Sequence, residues 1–390
     1  MDALGRREFL LGVAALGACA PRLARTIERP IDVAALPRWP GYADATVIDG
    51  AAGLGLTYAA DMPPDEAAPF IANELAAARA SGLTAVVTTV APSGRFWLDD
   101  AAFERTKASI AAWKAAIAAH PDVLVHVATA ADLDAARRDH RLGVVFTFQG
   151  TEPLGEDPDR AAMFHGLGVR VIQLTHNRRN LVGDGATEPG NAGLSNLGHE
   201  MITALEAAKI VVDLAHGSQR TIHEGLAATT RPPLISHTGC RALADLPRNT
   251  GDVELRMLAE RGGVAGMIFW PYLRTDTQPM AIDLVHHLEH AIDVCGEDHV
   301  GLGSDGPVAP IERTAAYERD NRAWVADAVK DHVFEPGRPA DLYTFIPDLN
   351  VAARYERIAA LLAARGHGAA RIGKILGGNF ARVMREIWGA

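Results

Sequence analysis

The chain has 390 residues, 48% hydrophobic and 22% charged, with 37 glycines. That is enough apolar material for a large core, and it excludes disorder as the default state. A formal net charge of -10, with no basic run in the body of the chain, argues against nucleic acid as the main partner, because phosphate binding needs a basic face.

In chain order, the first 25 residues read as a separate, removable segment. Arg6-Arg7-Glu8-Phe9-Leu10 leads into an apolar stretch reaching Ala18, a charged start followed by a run too short to span a bilayer. The twin arginine resembles a twin-arginine export signal, so the protein is expected to be exported, periplasmic or extracellular. Leu16-Gly17-Ala18-Cys19 resembles a lipoprotein cleavage box with Cys19 as a lipid anchor; ordinary cleavage nearby is the alternative. Cys240 and Cys295 remain after processing and read as small buried hydrophobes rather than a disulfide framework.

Residues 40–390 are expected to form a single domain. Apolar runs rich in Val and Ile recur at Ala45–Asp49, Leu83–Val90, Gly143–Gln149, Val169–His176, Ile210–His216, Pro233–His237, Gly263–Phe269 and Val300–Asp305. They are apolar on both faces, as strands covered by helices are. Helical patterns lie between them, at Glu66–Ala80, Ala101–Ala119, Asn196–Ala208, Gln219–Ala228, Val253–Arg261 and Ala281–Cys295. Alternating strand and helix over eight units predicts an α/β fold, a (β/α)₈ barrel. An open doubly wound sheet is the rival, but no glycine-rich phosphate loop follows the first strand. The stretch Asp305–Asn350, with five prolines, reads as an insertion after the eighth strand, and helices at Val351–Ala364 and Ala369–Gly377 close the chain.

Chemistry concentrates at the strand ends. Asp49, Gln149, His176, His216, His237 and Asp305 each end a strand, and in barrels that rim carries the active site. His216 and His237 lie 21 residues apart, one strand–helix–strand unit, which places two imidazoles side by side. Two neighbouring imidazoles suggest a metal; caps made by hydrogen bonds alone are the plainer reading. His286 and His290 form an i, i+4 pair, but with His287 they read as the outer face of a helix. Arg178 and Arg179 either face the mouth or are solvated, and Glu152 either replaces a ligand or lies in solvent.

At this point the chain resembles the membrane (renal) dipeptidase family of zinc peptidases, a branch of the amidohydrolase-like barrels. The resemblance spans residues 43 to 389. It is carried by Leu167–Asn177, Gly193–Gly198, Val212–His216, Ile235–His237 with Arg241–Leu243, Pro247–Asn249, His299–Asp305 and Ile375–Asn379. It implies a metallo-dipeptidase acting on small amide or dipeptide substrates, and a homodimer. It also implies metal ligands at His216 and His237, a substrate contact and oxyanion support at His176, a substrate-carboxylate grip at Arg248, and a proton-transferring Asp305. The family's first-strand His-x-Asp is replaced here by Ala51 and Gly53, and its bridging Glu by Gln149. One zinc is therefore expected, with Gln149 or Asp305 as a further ligand. A barrel that only binds a small ligand, or catalyses an isomerisation or tailoring step, is the alternative.

Overall fold

The structure is a computed structural model, and it describes residues 31–91 and 101–389. The N-terminal segment expected to direct export, with Arg6, Arg7 and Cys19, lies outside the described residues. Contacts divide the chain between Asp32 and Val33, and everything below belongs to the unit starting at Val33.

Among the described residues, eight parallel strands close a barrel: β1 Ile48–Asp49, β2 Ala85–Ala91, β4 Leu142–Gln149, β5 Val169–Gln173, β6 Val211–Asp213, β7 Leu234–Thr238, β8 Val264–Met267 and β9 Val300–Leu302. Asp49 is the seam, opposite Val86 on one side and Leu302 on the other. A ninth short strand, β3 (Leu124–His126), pairs only with the start of β4. The strands are buried on both faces because helices cover the outside and side chains fill the inside.

The crossover helices include α1 (Pro64–Ser81), α2 (Ala101–Ala119), α3 (Ala130–Arg138) and α4 (Arg160–Gly166). Then come α5 (Asn196–Ala207), α6 (Gln219–Ala228), α7 (Asp252–Glu260) and α8 (Ala281–Cys295). Six of these eight lie where the apolar spacing puts them; α3 and α4 are additions that it does not show. Ser195 and Ser218 start α5 and α6 by accepting backbone N–H groups of Gly198 and Thr221. The stretch after β9 is more ordered than its prolines suggest: it carries α9 (Ala315–Lys330), followed by α10 (Arg354–Ala364) and α11 (Ala369–Gly373).

A last helix, α12 (Asn379–Trp388), plugs the base. Ile48, Val87, Val145, Val171, Val211, Leu234 and Val264, one from each of seven strands, pack on Phe380, Val383, Met384 and Ile387. Gly50 and Gly301 make room for that plug, since a Cβ at either would lie 2.5 Å from the Phe380 ring. With the base filled, the opposite rim is left for chemistry.

Candidate active site and metal centre

His237 sits in β7 and is fully buried; His216 lies in the turn three residues beyond β6. Their Nε2 atoms approach to 2.8 Å. The other ring nitrogens determine what those atoms carry. Asp213, at the end of β6, accepts the N–H groups of Ser236 and Ala215 at 2.9 and 3.0 Å, and the Ser236 hydroxyl at 2.5 Å. With its hydrogen directed to Asp213, Ser236 Oγ accepts the Nδ1–H of His237 at 2.8 Å. Asn177 Oδ1 likewise accepts the Nδ1–H of His216 at 2.7 Å. A neutral imidazole has one N–H, so both Nε2 atoms point a lone pair into the same small space.

Protonation does not resolve this repulsion easily. Burial, and then the charge of Arg248, hold both rings well below the ordinary histidine range. A shared cation resolves it, and Asp305 supplies the matching charge. The ligand atoms of His216, His237 and Asp305 lie within 4.8 Å of one another, with Asp305 Oδ2 3.9 Å from His237 Nε2. Two imidazoles and a carboxylate suit zinc, and the Nδ1 partners are the outer supports such ligands use. His216 and Asp305 also hold left-handed backbone, φ +62° and +53°, a strained state for non-glycine residues that concentrates at functional sites.

The first-strand side is different. Asp49 is completely buried, and its carboxylate accepts the Ser304 N–H at 2.8 Å, the Ala51 N–H at 3.0 Å and the Tyr355 hydroxyl. Burial raises its pKa. Asp49 is thus a brace that joins β1 to the loop bearing Asp305, whose N–H donates to Ala51 O at 2.6 Å. Ala51 and Gly53 offer no ligand atom from a side chain, and a Cβ on Gly53 would meet nothing within 4 Å. The open space belongs to a cavity of about 430 Å³ that also reaches Gln149 and Asp305.

Arg248 stands across the mouth. It is buried, its guanidinium lies 5.9 Å from the Tyr272 ring, and among the described residues its Nε and Nη2 have no hydrogen-bond partner. Buried donors of a cation left unpaired are costly, so this group is set for an anion. His176 stacks on His216, ring centroids 4.2 Å apart, and burial, with Arg248, brings it down to about 4, so it is neutral. Asp305 is raised to about 7 by burial, with Asp49 adding to the rise, while Arg248 and a hydrogen bond from Gln149 oppose it. A second cavity of about 630 Å³ opens on the Arg248 side, lined also by Arg178 and Arg241.

The six strand-end residues and Arg248 therefore gather on one rim. Gln149 turns its side chain to Asp305. Arg179 is taken up by Asp184 at 2.5 Å, and Glu152 by Asn180 at 3.3 Å. The outer-face reading of the α8 histidines needs correcting at His287, which is buried and bonds Cys240 N–H and the Leu273 carbonyl; His290 pairs with Asp252. Sequence reasoning missed Asn177, Ser236 and Tyr355 as supports. Adjacency to His176 and His237 was the available signal for the first two; Tyr355 offered none.

A closed β/α barrel with an imidazole pair and an aspartate on its carboxyl-end rim has the architecture of the amidohydrolase-like metallohydrolases. The profile of the membrane dipeptidases (peptidase family M19) matches residues 42–311, and the chain belongs to that family. It is 29% identical over 243 residues to a protein named dipeptidase tcpJ from Claviceps purpurea, a match covering 61% of this chain and 49%, about half, of that one. Among solved structures it resembles an amidohydrolase from Pseudomonas aeruginosa at 25% identity and TM-score 0.71, covering 90% of this chain and 98% of that one. A metallo peptidase from Rhodobacter sphaeroides, liganded with a phosphinate mimic of the dipeptide L-Ala-D-Ala, shares the fold at TM-score 0.70 and 19% identity, over 88% of this chain and 99% of that one.

Proposed function

We propose that this chain hydrolyses small dipeptide-like amides and uses one zinc ion, held by His216, His237 and Asp305. The observation that carries this reading is the pair of facing Nε2 lone pairs with a carboxylate beside them. Zinc bound there would supply an acidified water and polarise the scissile carbonyl. Arg248 holds the terminal carboxylate of the substrate through its two free donors. His176, neutral, donates its N–H to the developing oxyanion. Asp305, oriented by Gln149, takes the proton of the attacking water and delivers it to the leaving amine. One ion rather than two follows from Ala51 and Gly53, which cannot ligate through side chains.

Metal analysis of protein purified without added zinc, with a dipeptide screen that includes D-configured C-terminal residues, tests the reading. One equivalent of metal and turnover, both lost in His216→Ala, are expected; no metal even in excess zinc sinks it. A ligand-binding or non-hydrolytic barrel is the second reading, favoured by retention of Arg248 beside the lost first-strand ligands, and it would show as binding without cleavage. We propose export from Arg6-Arg7 as well; cell fractionation of Arg6→Lys/Arg7→Lys, expected to stay inside the cell, tests that.

A further inference from the structure

The two cavities at the mouth differ in charge. The Arg248 side carries three arginines, Arg178, Arg241 and Arg248, against the acids Glu188, Asp331 and Glu335. The first-strand chamber carries Glu74, Asp213 and Asp305, and among its described lining residues there is no Lys, Arg or His. Asp213 is fully engaged with Ser236 and Ala215, and Asp305 belongs to the metal centre. Glu74 is left over. It projects from α1, is only 4% exposed, and one oxygen, Oε2, accepts the Gly55 N–H at 2.7 Å. Among the described residues it forms no ion pair. Leu54, Tyr58, Phe70 and Trp113 line the same chamber, so the carboxylate faces largely apolar walls.

A buried carboxylate with one amide donor and, among the described residues, no counter-charge is a poor structural brace. A neutral glutamine would hold Gly55 equally well and avoid the cost of burying charge. What the charge adds is attraction for a cation, strengthened by the low-dielectric surroundings and by aromatic rings whose faces favour ammonium groups. We propose that this chamber receives an ammonium group on the acyl half of the substrate, with the Glu74 carboxylate as its anchor. The inference rests on the amide-binding reading above, in which the substrate carboxylate lies on Arg248. It makes the mouth bipolar and explains what occupies the space where Ala51 and Gly53 provide no side-chain ligand. The chemical class is a zwitterionic peptide or amide with a free amine or an amine-bearing side chain in its acyl part.

The test is equilibrium binding by calorimetry on the full chain, with two isosteric pairs that differ in the ammonium: glycyl-D-alanine against propionyl-D-alanine, and 6-aminohexanoyl-D-alanine against heptanoyl-D-alanine. At least one ammonium ligand should bind tenfold or more tightly than its alkyl partner, and Glu74→Gln should level that pair. Equal or tighter binding of the alkyl partner in both pairs, or no binding of any ligand, overturns the proposal. So does an ammonium preference that survives in Glu74→Gln. If that variant does not fold, the wild-type comparison still decides, with Glu74→Asp as the second variant. Product release is followed separately: selective binding without cleavage removes the hydrolase reading and leaves this one standing, and cleavage without ammonium preference does the reverse.

Discussion

The rim of this barrel divides into two halves that differ in what their strand ends carry. On the β6–β7 side, two imidazoles are each fixed through Nδ1, one by Asn177 and one by Ser236 backed by Asp213, so the candidate cation site has supports behind its imidazoles. On the β1 side the positions that face it are Ala51 and Gly53, and the carboxylate just before them, Asp49, is committed to backbone amides and Tyr355. The contrast teaches that a ligand position is recognised by what stands behind it. Hydrogen-bonded supports stand behind the imidazole pair, and where Ala51 and Gly53 offer no side-chain ligand atom the space is a cavity.

The sharpest way to break this comparison is to remove a ligand from the built half. His216→Ala should abolish stoichiometric zinc and lower kcat/KM on the order of 10³-fold, read by metal analysis and steady-state kinetics. Arg248→Ala should raise KM roughly 10²-fold for substrates with a free carboxylate and far less for their amides, the loss of charged hydrogen bonds worth about 1.5–3 kcal/mol. Ser236→Ala should lower zinc affinity about 10- to 100-fold in a chelator competition while leaving the fold intact, because it frees the His237 tautomer. The empty half can be rebuilt: Ala51→His, Gly53→Asp and Gln149→Glu together should raise metal content from one equivalent toward two, which the open space at Gly53 permits.

The smallest expected effect lies away from both halves. His287 is buried and neutral, lowered to about 4 by burial, against an ordinary 6.5. Below pH 6.5 the unfolded chain takes up a proton that the folded chain refuses, so stability falls with acidification until about pH 4. At pH 5.5 the loss is about 1.4 kcal/mol relative to pH 7.5 or above, and chemical denaturation of His287→Gln should show a correspondingly flatter pH dependence.

Much of this is legible in the amino-acid sequence. The Val- and Ile-rich runs located the eight barrel strands, and α2, α6 and α8 have the residue bounds that apolar spacing indicates. The spacing of His216 and His237 predicted that the two imidazoles stand side by side, and their Nε2 atoms lie 2.8 Å apart. Short or polar elements escaped: β3 has three residues and α3 is mostly charged and alanine. The plug helix α12 escaped because its apolar face is meaningful only once seven strands supply the surface it covers. The outer supports were hidden for a related reason. Tyr355 lies 306 residues from Asp49, and no local period reports a hydrogen bond across that distance.

Strand β1 is only two residues long, and its two side chains serve opposite ends of the molecule. Ile48 belongs to the packing around the plug, and Asp49 to the loop that aims the aspartate of the rim. So short a link has no slack in which to absorb a disturbance. Loosening the bottom of the barrel should dislocate catalytic geometry in the same event, and heat inactivation should track loss of the fold rather than precede it.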